Sequence, residues 1–306
     1  MVVNAFILSL SGAALWGLSG TASDALFRIF GMNPLALLGA RMTIAGGLML
    51  LIFRPKFPWE MKFLFLLYTA TSIILQFSYL ETIYLSSAPT ATFLQFMYFP
   101  MVVIYEVLRR KLKSGLRITL GLISAIAGIT LLTVDFDGGL RISFAALVIG
   151  LICAASAAAY TILSSPLVQK YGSKTIVSWS FALGSIVAFP IGYGSLSRFL
   201  TSMPEDELIE AILLIIFVSI FGTLIAFTLY SQGMKHISSS SASVAGSLEP
   251  VSASLSSSIF LGEVLGPLQY VGGFLIICSI ILSQLGISKQ KKTGNKIRKF
   301  IKLRVK

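Results

Sequence analysis

The sequence is poor in the residues that build most catalytic and metal centres. It contains one histidine and two cysteines, and only 12% of its 306 residues are charged. A lone His236 cannot assemble a metal site and reads as a polar loop residue. Cys153 and Cys278 lie far apart in separate apolar segments, so they read as small buried hydrophobes and define no disulfide framework or metal site. There is no His/Asp cluster, no GxSxG elbow, no phosphate-cradling glycine loop and no soluble segment to carry one. The expectation is therefore a protein that is not an enzyme and holds no cofactor. A soluble domain is about 25% charged. Half that charge, with 56% hydrophobic residues and a mean hydropathy of +0.88, indicates a polytopic membrane protein.

Ten apolar runs follow, at about 4–27, 34–53, 62–84, 88–108, 116–134, 143–165, 174–193, 209–230, 240–261 and 267–287. Each is close to the roughly 20 helical residues that cross a bilayer core. The net charge of +12 is distributed unevenly over the loops. With a cytoplasmic N-terminus, 20 Lys and Arg lie inside and only Arg28, Arg141 and Arg198 outside, while Arg41 sits within a span. That asymmetry places both termini in the cytoplasm of a cell (inner) membrane protein. The basic tail KQKKTGNKIRKFIKLRVK (289–306) suits anionic lipid headgroups. It lacks an accompanying nucleic-acid-binding domain, so nucleic acid is not an expected partner. The first span has no basic leader and too long an apolar run for a secretory signal, so it stays in the membrane.

The ten runs form two copies of five. YLETIYLSSAPTATFLQFMYFPMVVIYEVL (79–108) aligns with LYSQGMKHISSSSASVAGSLEPVSASLSSS (229–258) at a constant offset of 150, bringing Pro100 onto Pro250. Because five is odd, the second copy enters the membrane from the opposite side. Inverted repeats with a midplane site between them are a recurring transporter architecture. The expected divisions are a first repeat over 1–138, an inverted second repeat over 139–288 and the tail over 289–306.

LEPV (248–251), LGEVL (261–265), ALWG (14–17), GARMTIAGG (39–47) and the Pro100 segment together resemble the EamA family of the drug/metabolite transporter superfamily. The resemblance covers residues 4–287. It implies an all-α integral membrane fold of ten helices, and a secondary transporter of small metabolites, often amino acids and often outward. The family's members work without a covalent cofactor. The chain departs from the pattern at Lys113, which stands where the repeat register would place a second copy of Glu263. Glu106 lies nearer Pro100, and snorkelling to water accounts for both Glu106 and Glu263 at span ends. If the family glutamate serves helix termination or gating, only Glu263 retains that role. A homodimer is compatible with the sequence.

Candidate substrate-binding residues are polar or aromatic groups at depths where lipid cannot satisfy them. Glu249 and Pro250 interrupt a small-residue stripe of Ala242, Gly246, Glu249 and Ala253. The proline frees the carbonyl of Gly246, and such backbone is tolerated only against protein or a water-filled cavity. Glu249 therefore faces inward, as a helix-bonding group, a substrate ligand or a proton-coupling carboxyl. Gln95 and Tyr98 share a helical face with Ala91 and Val102. Trp16 sits deeper than an interfacial tryptophan, and Tyr160 occupies the matching place in the second copy. Glu81, between Tyr79 and Tyr84, suits an ammonium group. Two substrate classes remain open, amino acids and cationic choline-like amines. Arg41 is expected to form a structural ion pair with Asp24 or Glu263, with snorkelling or a substrate carboxylate as alternatives. Trp179 reads as a belt anchor, and the serine runs 238–243 and 252–258 as close-packing surfaces. A membrane enzyme or a channel are the competing classes, and neither catalytic motifs nor repeated charge rings support them.

Overall fold

A computed structural model describes residues 2–109, 115–134, 141–234 and 245–304, and only the backbone of 2, 3, 234 and 287–304. The helices are α1 (Val2–Arg28), α2 (Pro34–Phe53), α3 (Lys62–Leu85), α4 (Ala88–Phe96), α5 (Tyr98–Leu108), α6 (Leu116–Thr133), α7 (Phe144–Tyr171), α8 (Ser173–Ser202), α9 (Glu205–Ser219), α10 (Ala226–Met234), α11 (Leu248–Leu261) and α12 (Pro267–Arg304). A π-helical turn, Ile220–Ile225, joins α9 to α10. No β-strand occurs among the described residues. Nine described segments are long and apolar enough to cross a membrane. The tenth expected run, 240–261, is described only from Ala245. His236, Lys113 and the 238–243 serine run lie outside the described residues, as do the side chains of the basic tail.

Local chemistry sets the helix ends. Asn33 caps α2, its Oδ1 accepting the Leu35 N–H at 2.9 Å, with Pro34 at the first helical position. Ser87 caps α4 in the same way. Gly262 ends α11 in the left-handed conformation at φ 65°. Four helices outrun their expected spans, α12 among them, which runs on to Arg304. α7 continues through Pro166, α8 runs on to Ser202, and α9 starts at Glu205, where Glu205, Asp206 and Glu207 favour a helix N-terminus. Hydropathy marks only the part of a helix that lies in lipid, so these ends are invisible to it.

The two prolines break their spans at matching points. Pro100 has no N–H for the carbonyl of Phe96, and α4 stops there, with Met97 as the junction to α5. Ser247 is the corresponding junction between the helical residues 245–246 and α11, three positions before Pro250. Both breaks thus follow the repeat.

Helix pairing obeys the same inverted symmetry. The most extensive packing is between α2 and α8, α6 and α12, α3 and α7, α1 and α11, and α1 and α10, each pair joining the first repeat to the second. Exchanging the repeats maps α2–α8 and α6–α12 onto themselves and α1–α10 onto α3–α7. The copies are therefore interlaced, with their most extensive interfaces running between the repeats. Small residues make the crossings close. A Cβ on Gly128 would stand 2.7 Å from the Gly272 carbonyl oxygen, and one on Gly46 2.6 Å from the Ala182 nitrogen. In contrast, nothing lies within 4 Å of a Cβ on Gly47. Gly46→Ala is therefore expected to cost about 1–3 kcal/mol by overpacking, while Gly47→Ala leaves the thermal midpoint of the purified protein unchanged. Equal midpoints for the two variants would contradict this packing.

Polarity is turned inward. Asp24, Arg41 and Glu249 are buried, while Phe63, Leu67, Ile186, Ile191, Ile259 and Phe274 are exposed on the outer faces, as a lipid-solvated protein requires.

Candidate functional site

A cavity of about 190 Å³ lies between the repeats. The first repeat contributes Trp16 and Ser19 from α1, Arg41 from α2, Leu75, Gln76 and Tyr79 from α3, and Gln95, Phe96 and Tyr98 around the Pro100 break. Ala157, Tyr160 and Thr161 of α7, Phe227 and Tyr230 of α10, and Gly246 and Glu249 at the Pro250 break come from the second. α6 and α12 pair outside it. Both proline breaks thus open onto the cavity, Phe96 and Gly246 being the residues whose carbonyls the prolines leave without a helical donor.

Five of the six expected binding residues, Trp16, Gln95, Tyr98, Tyr160 and Glu249, line this one cavity. Trp16 packs its indole against Phe227 at 5.0 Å and Tyr230 at 4.8 Å, and its buried Nε1 has no hydrogen-bond partner among the described residues. Tyr160 stacks on Tyr68 at 4.5 Å. Tyr79 bonds Thr92 Oγ1 at 3.1 Å. The small-residue face of α11 lies on α1, where a Cβ on Gly17 would come within 2.5 Å of the Glu249 carbonyl oxygen. Ser252 donates to the Ala14 carbonyl at 2.8 Å and Thr21 meets Ser256 at 2.6 Å, so the 252–258 serines pack helices together.

Glu81 is not part of the cavity. It is half-buried on α3 and makes no ion pair among the described residues. Tyr79 takes the inward face, and a residue two positions on points about 200° away on a helix. Tyr84 turns outward against Phe27 at 5.9 Å.

Arg41 and Glu263 also depart from expectation. Arg41 pairs with neither Asp24 nor Glu263. Its Nε donates to Thr223 Oγ1 at 2.7 Å, it borders the cavity, and it shares an electrostatic interaction with Glu249. Asp24 is taken by Arg28, at 2.7 Å from Nε, and also accepts the Ala88 N–H at 2.9 Å, capping α4. Arg28 reaches the Ser86 carbonyl and, at 3.5 Å, Glu263. Glu263 therefore does not snorkel freely. It joins a cluster that ties the end of α1, the start of α4 and the α11–α12 turn. Trp179 is more than a belt anchor, since its indole donates to the Pro55 carbonyl at 3.0 Å.

Gln76, Tyr79, Tyr230 and Thr223 were not singled out from the sequence as site residues. Gln76 carries the same signal as Gln95, an amide deep in an apolar run. Tyr230 and Thr223 carry none, because hydroxyl groups are common in membrane helices.

An all-helical membrane protein with a polar cavity at the crossing of two inverted repeats is a membrane transporter by architecture. The sequence model of the EamA-like transporter family matches residues 3–134 and again 144–285, and the chain belongs to that family. It is 29% identical to the uncharacterized inner membrane transporter YicL of Salmonella typhimurium, over 93% of this chain and 96% of that protein. It is 27% identical to the uncharacterized transporter YvbV of Bacillus subtilis, over 90% of each. A solved crystal structure shares the fold with a TM-score of 0.62 at 15% identity, covering 92% of this chain and 96% of the other.

Proposed function

We propose that this transporter carries a small zwitterionic metabolite, an amino acid or close relative, by alternating access, with export favoured. One observation carries the reading: among the described residues, one buried guanidinium, Arg41, and one buried carboxylate, Glu249, border the same cavity. A substrate carboxylate suits Arg41, which can donate two parallel hydrogen bonds. A substrate ammonium suits Glu249 and the faces of Trp16, Tyr98 and Tyr230. Because the repeats are interlaced, the motion is a rearrangement of helix pairs about the Met97 and Ser247 breaks. Both termini face the cytoplasm of an inner membrane in this reading. The tail contacts anionic lipid, Glu249 is the candidate for proton coupling, and the assembly is a monomer or a homodimer.

A carrier of choline-like amines is the second reading, favoured by the aromatic lining and opposed by the charge of Arg41. Thermal stabilisation of the purified protein by amino acids, choline-like amines, nucleosides and sugars separates the two. An amino acid is expected to stabilise wild type and Glu81→Gln equally, and Glu249→Gln weakly or not at all. Stabilisation by choline alone would establish the second reading, and full stabilisation of Glu249→Gln would remove Glu249 from the binding site.

A further inference from the structure

The π turn at Ile220–Ile225 lies where the second repeat meets Arg41. A π turn inserts one residue into a helix with poor hydrogen-bond geometry, and such turns concentrate at functional sites. Most threonines in ordinary helical turns of this protein bond the carbonyl four residues back, as Thr228 does to Leu224 at 2.7 Å and Thr161 to Ala157 at 2.7 Å. Thr223 instead donates to the carbonyl of Val218, five residues back, at 2.9 Å. That direction of its hydrogen leaves the oxygen lone pairs to accept the Arg41 Nε–H at 2.7 Å. Both residues are buried.

The surroundings hold this arrangement in one phase. A Cβ on Gly222 would fall 2.1 Å from Ser19 Oγ, so the turn is seated directly on α1, and Ser19 itself borders the cavity. Among the described residues Arg41 makes no hydrogen bond besides that to Thr223, and no carboxylate lies within ion-pair distance. A guanidinium is planar, so anchoring Nε sets the plane and the direction of both terminal nitrogens.

We infer that Thr223, set by the π turn, is a positioning residue: it anchors Arg41 at Nε so that its two terminal nitrogens are presented to the carboxylate of the ligand. This rests on the zwitterion reading of the cavity. Thr223 then governs the preference for an amino acid over its decarboxylated amine, because an unanchored guanidinium keeps its charge and loses its bidentate aim.

The test uses L-leucine, L-threonine and L-phenylalanine, each against the amine that lacks its carboxylate, binding to the full-length protein. In wild type at least one acid is expected to bind more tightly than its amine. Arg41→Gln and Thr223→Val are each expected to weaken the acid by about tenfold or more, near the 1.4 kcal/mol that one decade represents; Thr223→Val leaves the amine unchanged, and Arg41→Gln, which removes a repelling charge, does not weaken it. Thr223→Ser, which keeps the hydroxyl, restores the acid, and Thr223→Ala repeats the loss without added bulk. Unchanged amine binding distinguishes lost aim from a damaged fold. If Arg41→Gln weakens the acid and Thr223→Val and Thr223→Ala do not, the positioning role is wrong and the cavity reading stands. If no acid shows dependence on Arg41, the zwitterion reading falls and this inference with it.

Discussion

Arg41→Ala is expected to destabilise the protein by about 1–3 kcal/mol, since it leaves Glu249 buried with no cation on the same cavity and takes the donor from the Thr223 hydroxyl, and Arg41→Ala/Glu249→Ala to recover a large part of that loss. Arg41 and Glu249 are 5% and 7% exposed and border the same cavity. Neither charge has a better partner among the described residues: Arg41 has the Thr223 hydroxyl, and Glu249 has no side-chain hydrogen bond there. Removing both eliminates the stranded carboxylate. The cycle is measured by thermal or denaturant unfolding of the purified protein in one detergent. Additive single-variant losses would show that the two charges do not sense each other, and the cavity would then lose its main claim to hold a zwitterion.

The second large effect is expected where α1, α4 and the α11–α12 turn meet. Asp24 is fully buried and its ion pair with Arg28 is half open to solvent, since the Arg28 side chain is 43% exposed. Arg28→Ala should therefore cost between the roughly 1 kcal/mol of an exposed pair and the roughly 3–5 kcal/mol of a buried one. It also releases Glu263 and the Ser86 carbonyl. Asp24→Asn should cost less, because an amide oxygen still accepts the Ala88 N–H and no charge is left buried. The order of unfolding midpoints, wild type above Asp24→Asn above Arg28→Ala, checks this. The reverse order for the two variants would mean that the negative charge of Asp24 at the start of α4, and not its pairing with Arg28, holds this end together.

Much of the cavity was legible because lipid makes misplaced polarity conspicuous. Trp16, Gln95, Tyr98, Tyr160 and Glu249 stand out as polar or aromatic groups too deep for lipid, and all five border the same space. Gln76 is as deep in an apolar run as Gln95 and borders the cavity with it. Glu81 lies off the cavity for a reason of phase, since Tyr79 and Glu81 cannot both face inward on one helix. Arg41 stands out in the sequence as a charge within a span, but its partner Thr223 does not, because depth along a span does not say which neighbour that span meets. Thr223 left no trace, as a one-residue π insertion changes neither hydropathy nor composition.

The sequence by itself determined the membrane class, the ten spans in two inverted copies and the two proline breaks. These follow from local causes: the cost of polar groups in hydrocarbon, and an N–H that proline does not have. Tertiary structure alone decided that the copies interlace, that Glu263 comes to Arg28, and that Arg41 is left on the same cavity as Glu249. Those outcomes depend on where glycines let two backbones touch and on the rotation of each helix about its axis. Segments more than a hundred residues apart set both together, and no single stretch of the chain records them.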